Sequence, residues 1–415
     1  MQKLVINMKN KRKILYGGAV TGLEEERAII KSIRNSRKTR NWQEAEEGKL
    51  FSSEVAKFLG VKYGILTNSG SSAGLLALSA LELPRGSEII ISAVTFPTIF
   101  NIILQCGLTP VVVDAKVGTY GFDLKDVEKA ITKKTKAIIA IHPLGNPVDM
   151  PGLMKLVKKY EQKIWVIEDA CDALGTTING RQVMSFGDIS ITSFHAAHIV
   201  SMGVGGGVFT NVGSLAKKVR MYRDWGRCAD INKSENKKWK TLPQDYNPRF
   251  IYEKVGYNFQ ILELQAAMAR VQLRKADEIK RKRWNNFTYL YKKLMKYEEL
   301  VLPYWDDNAD PCWFSFPLTY NGDRGKLLRH LEKNGIETRP MFSGQILAHP
   351  AYSHLKNGVD YRKIGDLKEA EYITRHSFWI STHPSLTKGD LRYIIKVFND
   401  FFNRKIEGTQ KATLP

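Results

Sequence analysis

Seven short apolar runs separated by stretches with helical spacing restrict this chain to one broad architecture. The runs cover residues 63–67, 88–93, 109–114, 136–142, 164–168, 189–194 and 206–210. Most are continuous in Val and Ile rather than alternating, the pattern of strands covered on both faces. The expected fold is therefore α/β, with a mostly parallel central sheet flanked by helices. In such sheets ligands sit beyond the carboxyl ends of the strands, in the loops that follow them. A Lys-, Arg-, Leu- and Ala-rich helical stretch over residues 261–296 leads on to further strand patterns near 313–319 and 337–340. Two apolar-periodic helices, near 323–334 and 388–404, complete a smaller C-terminal α/β domain. The expected division is a polar N-terminal arm and large domain over 1–275, the small domain over 276–407, and a disordered tail over 408–415.

Charge bears on the choice of ligand. The chain carries 63 Lys+Arg against 42 Asp+Glu, a formal net charge of +21. Such a surface favours anions: a nucleotide diphosphate, a membrane surface or nucleic acid. The basic residues are dispersed, with local density at 233–240 and 274–283, and no nucleic-acid module or interleaved aromatics accompany them. Nucleic acid is thus not the expected partner. No stretch is apolar enough to span a bilayer, and the first residues lack the apolar run of a signal peptide, so a cytoplasmic protein is expected. The four cysteines, Cys106, Cys171, Cys228 and Cys312, form no CxxC pair and are not expected to be disulfides.

Four segments carry chemistry. Asn68-Ser69-Gly70-Ser71-Ser72-Ala73 joins a strand to a Leu-rich helix. Its small side chains let backbone N–H groups approach a phosphate, although a Ser/Gly turn is equally a plain helix cap. Glu168-Asp169-Ala170-Cys171-Asp172 is an acidic cluster at a strand end. A carboxylate there can hold a protonated pyridine nitrogen, or simply cap a helix. Ser193-Phe194-His195-Ala196-Ala197-His198 precedes a glycine turn, Gly203-Val204-Gly205-Gly206. Two histidines three apart are one way to begin a metal site, but no further ligands lie at suitable spacing. The fourth segment is Gly256-Tyr257-Asn258-Phe259.

The order and spacing of these blocks resemble the sugar-nucleotide aminotransferase family, DegT/StrS-type enzymes of fold type I that use pyridoxal or pyridoxamine phosphate. Further matching stretches are 68–73, 94–98, 144–146, 224–227 and 378–380. Members of that family carry Ser-Phe-His-x-x-Lys, whose lysine attaches to the cofactor aldehyde. His198 stands in the lysine slot here. That exchange resembles the sugar-nucleotide 3-dehydratases acting on CDP-4-keto-6-deoxyglucose or GDP-4-keto-6-deoxymannose, a likeness that covers nearly the whole chain.

The resemblance implies a role for each matched position. Gly70, Ser71, Ser72 and Ser193 hold the cofactor phosphate, with Asn258 contributing across a homodimer interface. Phe96 stacks on the pyridine ring, Asp169 pairs with its nitrogen, and Asp172 and His195 complete the cofactor pocket. His198 is the catalytic base, its ordinary pKa of about 6.5 suiting proton transfer at neutral pH. The implied reaction removes the C3 hydroxyl of a nucleotide-linked 4-keto-6-deoxyhexose.

Three features depart from the pattern. The CDP-sugar branch holds an iron–sulfur cluster on four cysteines, whereas here only Cys171 and, out of register, Cys228 approach those positions, so a cluster is not expected. The cluster-free branch implies glutamate as amino donor. Val204 replaces the acidic residue of the family's Gly-Glu-Gly-Gly turn, and His195 is the aminotransferase-like choice. An atypical aminotransferase acting on another keto-sugar, and a cofactor-binding regulatory protein of weak activity, remain the alternatives.

Overall fold

The computed structural model describes residues 12–228, 241–243 and 245–411. The basic run at 233–240, with Ala229 and Asp230, lies outside them. The apolar runs become seven strands: β1 (Tyr63–Thr67), β2 (Glu88–Ser92), β3 (Thr109–Val113), β4 (Thr135–Ile141), β5 (Trp165–Asp169), β6 (Ile189–Ser193) and β7 (Gly206–Thr210). Their order is β1-β7-β6-β5-β4-β2-β3, extended at the β3 edge by Arg362–Lys363 from the C-terminal part of the chain. Strands β2 to β6 run parallel, and only β7 is reversed against its neighbours β6 and β1. Strands β2 and β6 are buried at every position, as continuous apolar runs require.

Parallel registry brings the carboxyl ends together. Ile141 of β4 pairs with Asp169 of β5, and Asp169 with Ile191 of β6. Because β7 is reversed, its first residue, Gly206, lies opposite both Ser193 and Thr67, the last residues of β6 and β1. One sheet edge therefore gathers the starts of the loops at 68, 142, 170 and 194.

A second sheet of four short strands, with Ser315–Tyr320 and Ser377–Ser381 at its centre, packs against Ala276–Leu294, Arg324–Lys333 and Lys388–Lys411 around Phe287, Trp313, Phe316 and Phe398. The stretch over 261–296 is two helices, Glu263–Arg274 and Ala276–Leu294, broken at Lys275.

Two expectations need correcting. The polar arm contains two helices, Leu23–Thr39 and Glu46–Leu59. The first was hidden because its buried positions include Glu25, Ser32 and Ser36 rather than an apolar stripe. Glu25 is held by Lys275 Nζ and Gln272 Nε2, each at 2.7 Å. At the other end, the last helix runs through the first half of the expected tail to Lys411, and residues 412–415 lie outside the described ones. No described helix is long and apolar enough to cross a membrane.

Candidate active site

A cavity of about 380 Å³ opens at the gathered strand ends. Its base is formed by the turn after β1. Ser69 caps the helix Gly70–Ala80, its Oγ accepting the Ser72 N–H at 3.0 Å. The Gly70 and Ser71 N–H groups open the first turn, where no intrahelical acceptor exists. Glycine is required by close approach: a Cβ on Gly70 would lie 2.8 Å from the Ser193 Cβ and 3.3 Å from the Cys171 Sγ. Likewise, a Cβ on Gly206 would lie 2.4 Å from the Ser69 carbonyl oxygen. Backbone donors, a helix N-terminus and the Ser71 and Ser193 hydroxyls thus converge on one anion-sized cradle, which fits a phosphate.

The acidic cluster divides by strand alternation. Glu168 is fully buried, accepting the N–H groups of Met184, Phe186 and Gly187, and its Oε2 lies 3.4 Å from His142 Nε2. It ties down the following loop, while Asp169 faces the cavity. Burial pushes the Asp169 carboxyl up, and the Cys171 thiol and N–H, the latter at 3.1 Å, pull it back. Asp172 raises it further and His142 lowers it. A buried carboxylate in this setting suits a cationic ring nitrogen, which would hold it ionised.

His198 stands on the turn after β6, its N–H bonded to the His195 carbonyl at 2.9 Å. Its Nε2 lies 3.2 Å from Asp172 Oδ1, and Phe314 packs edge-on against the ring at 5.5 Å. Nδ1 is buried and has no partner among the described residues. Phe96 borders the mouth with 58% of its surface exposed, so a planar ring has an apolar face to stack on.

Of the residues expected at the site, Gly70, Ser71, Phe96, Asp169, Asp172, Ser193, His195 and His198 line this one cavity. Ser72 does not, its hydroxyl and N–H being turned to Ser69 Oγ. Asn258 does not either: it is exposed, on an isolated bridge with Asp224. The pairing of Asp172 with His198 was not anticipated. Nor were three lining residues: Thr98, bonded to Ser71 Oγ at 2.8 Å, His142, and Phe342 from the C-terminal part. A larger polar recess of about 550 Å³ near Arg223 holds no comparable chemistry, and Arg223 is already paired with Glu44 and Asp224.

The model of the DegT/DnrJ/EryC1/StrS aminotransferase family matches residues 23–399. The lipopolysaccharide biosynthesis protein RfbH of Salmonella typhimurium is 39% identical over 373 residues, covering 85% of this chain and 84% of that protein. The dTDP-4-dehydro-2,6-dideoxy-D-glucose 3-dehydratase of Saccharopolyspora spinosa is 36% identical over 371 residues, covering 85% and 79%. Among solved structures, Escherichia coli GDP-4-keto-6-deoxy-D-mannose-3-dehydratase with bound hydrated PLP superposes with a TM-score of 0.81 at 25% identity, over 93% of this chain and all of that one. The fold is accordingly the fold-type-I architecture that the sequence motifs implied. With a matching family model over most of its length and a 39% identical relative, the chain belongs to the DegT/DnrJ/EryC1/StrS aminotransferase family.

Proposed function

We propose that this chain binds pyridoxamine phosphate and removes the C3 hydroxyl of a nucleotide-linked 4-keto-6-deoxyhexose, as a dehydratase of dideoxysugar biosynthesis. The observation that carries this reading is the pairing of His198 with Asp172 in a cavity that, among the described residues, no lysine lines. Relatives named as 3-dehydratases support the reaction class. Bound pyridoxamine phosphate supplies an amine for the sugar ketone and a ring that accepts electrons.

The chain's own residues do the rest. The Gly70–Ser71 turn and Ser193 hold the phosphate, Phe96 covers the ring face, and Asp169 holds the ring nitrogen. Asp172 lies 3.2 Å from His198 Nε2 and orients the imidazole that acts as the base. Imidazole forms no stable Schiff base, so the cofactor is held by these contacts alone. The exposed Asn258 reaches the cradle of a second copy in a homodimer.

Borohydride reduction tests the reading against the aminotransferase alternative. Protein loaded with pyridoxal phosphate is expected to give no covalent adduct by intact mass. A reduced lysine adduct would show that another amine has taken the role His198 left vacant.

An iron–sulfur cluster does not fit these donors. Cys171 borders the cavity, while Cys312 is buried with its N–H on Thr176 Oγ1, and Cys106 caps the helix Pro97–Gln105. Among the described residues no group of three or more His, Cys, Asp or Glu could hold a metal ion. Protein purified without oxygen is expected to contain no stoichiometric iron and to recycle its cofactor with glutamate. Stoichiometric iron, lost together with activity in a Cys171→Ser, Cys228→Ser double variant, would overturn this assignment.

A further inference from the structure

Removing a hydroxyl needs more than a base, because the departing oxygen must be held and must receive a proton. The turn after β6 presents two imidazoles to the cavity, with ring centroids 5.9 Å apart and planes at 68°. Their hydrogen-bond partners fix opposite tautomers. At His198, Asp172 faces Nε2, so Nε2 carries the proton and Nδ1 the lone pair. At His195, the Ala197 N–H donates to Nδ1 at 3.4 Å, so Nδ1 carries the lone pair and Nε2 the proton. The His195 backbone is fastened as well, its N–H donating to Ser193 Oγ at 3.2 Å. Nε2 of His195 has no partner among the described residues, and the side chain lines the cavity.

His195 therefore offers an N–H to the cavity beside His198. Burial, and then the neighbouring His198, push the His195 pKa down, so the ring is neutral at pH 7. A neutral imidazole donating a hydrogen bond to a reacting oxygen is an established way to stabilise developing negative charge.

We propose that His195 is a second catalytic residue of the dehydration, its Nε2–H holding the oxygen of the departing hydroxyl while His198 moves the proton. The inference rests on the dehydratase reading. His198 takes a proton from carbon, and that C–H electron pair enters the conjugated system. The C–O bond breaks with its pair going to oxygen, and the oxygen leaves as water after taking one proton back from His198. Water is the only species lost, so the step needs no oxidant or reductant. The carboxylate beside His198 is Asp172, which is no proton donor once ionised. The His195 N–H is the donor on the neighbouring ring, 5.9 Å away between centroids.

The test separates proton removal from C–O cleavage. Wild type and His195→Phe, each loaded with pyridoxamine phosphate and given a 4-keto-6-deoxy sugar nucleotide in deuterated water, are assayed for deuterium uptake at the carbon His198 serves and for deoxygenated sugar. In His195→Phe, uptake is expected to persist while cleavage falls about 10²-fold, the usual loss for one such donor; His195→Gln, which keeps an N–H, is expected to recover part of it. Independently of turnover, ¹⁵N NMR of the unloaded protein is expected to show His195 as the neutral Nε2–H tautomer. Unchanged cleavage in His195→Phe, loss of uptake and cleavage together with cofactor binding, or an Nδ1–H tautomer each overturns the inference. Wild type that cleaves no C–O bond overturns the dehydratase reading, and this inference with it.

Discussion

His198→Ala is expected to lower deoxygenation by about 10²- to 10⁴-fold, the range that a positioned acid–base group supplies. Pyridoxamine phosphate binding, followed by its absorbance or by calorimetry, is expected to be unchanged. The two effects separate because the proposed cofactor contacts lie elsewhere in the cavity: the Gly70–Ser71 turn for the phosphate, Phe96 for the ring, Asp169 for its nitrogen. The side chain lines the cavity with 17% of its surface exposed and is not part of the core around Phe194 and Ile199, so its removal leaves that core intact. Asp172→Asn provides the companion measurement. It keeps the volume but weakens the hold on Nε2–H, and activity is expected to fall less than in His198→Ala. Turnover by His198→Ala at the wild-type rate would remove the imidazole from the mechanism.

Gly206→Ala is expected to cost about 1–3 kcal/mol of stability, as for other over-packed sites, and to weaken cofactor binding at least tenfold. The added Cβ would sit 2.4 Å from the Ser69 carbonyl oxygen and 2.5 Å from the Gly70 nitrogen. Both contacts are backbone at the helix start, so no side chain can swing aside. Relief requires β7 and the Ser69 turn to part, and that turn carries the Gly70 and Ser71 N–H groups proposed to hold the phosphate. Thermal unfolding with and without pyridoxamine phosphate measures both effects. A variant whose melting temperature rises with the cofactor as much as wild type would show that the turn does not hold the phosphate.

The large sheet was readable because each parallel strand is buried on both faces and must therefore be apolar throughout, as at Glu88–Ser92 and Ile189–Ser193. The helix Leu23–Thr39 was not, because it is fastened by the ion pair of the buried Glu25 with the half-buried Lys275, and a pattern of apolar spacing carries no trace of a partner 250 residues away. The site divides in the same way. Residues at strand ends could be placed, since strand order fixes where Asp169, Ser193 and the turn at Gly70 must meet. Phe342 could not: it reaches the cavity on a loop held by Ser343 Oγ to the Thr95 carbonyl at 2.6 Å, with its own backbone at φ 50°. The Asp172–His198 pair was also hidden, because it joins the loops after β5 and β6 and depends on rotamers rather than spacing. Ser72 looked like a phosphate ligand for its neighbours' reason, yet its N–H completes the Ser69 cap.

The dehydratase reading is tested most directly by the product of a single turnover. Pure protein loaded with pyridoxamine phosphate would be given 4-keto-6-deoxy sugar nucleotides carrying different bases, and the sugars identified by mass spectrometry. The expected product with the matching substrate is a sugar lacking one oxygen atom, at C3, formed in equal amount to the pyridoxamine phosphate consumed. A sugar that keeps its C3 oxygen and gains an amino group in place of the C4 ketone would contradict the account and make the chain an aminotransferase.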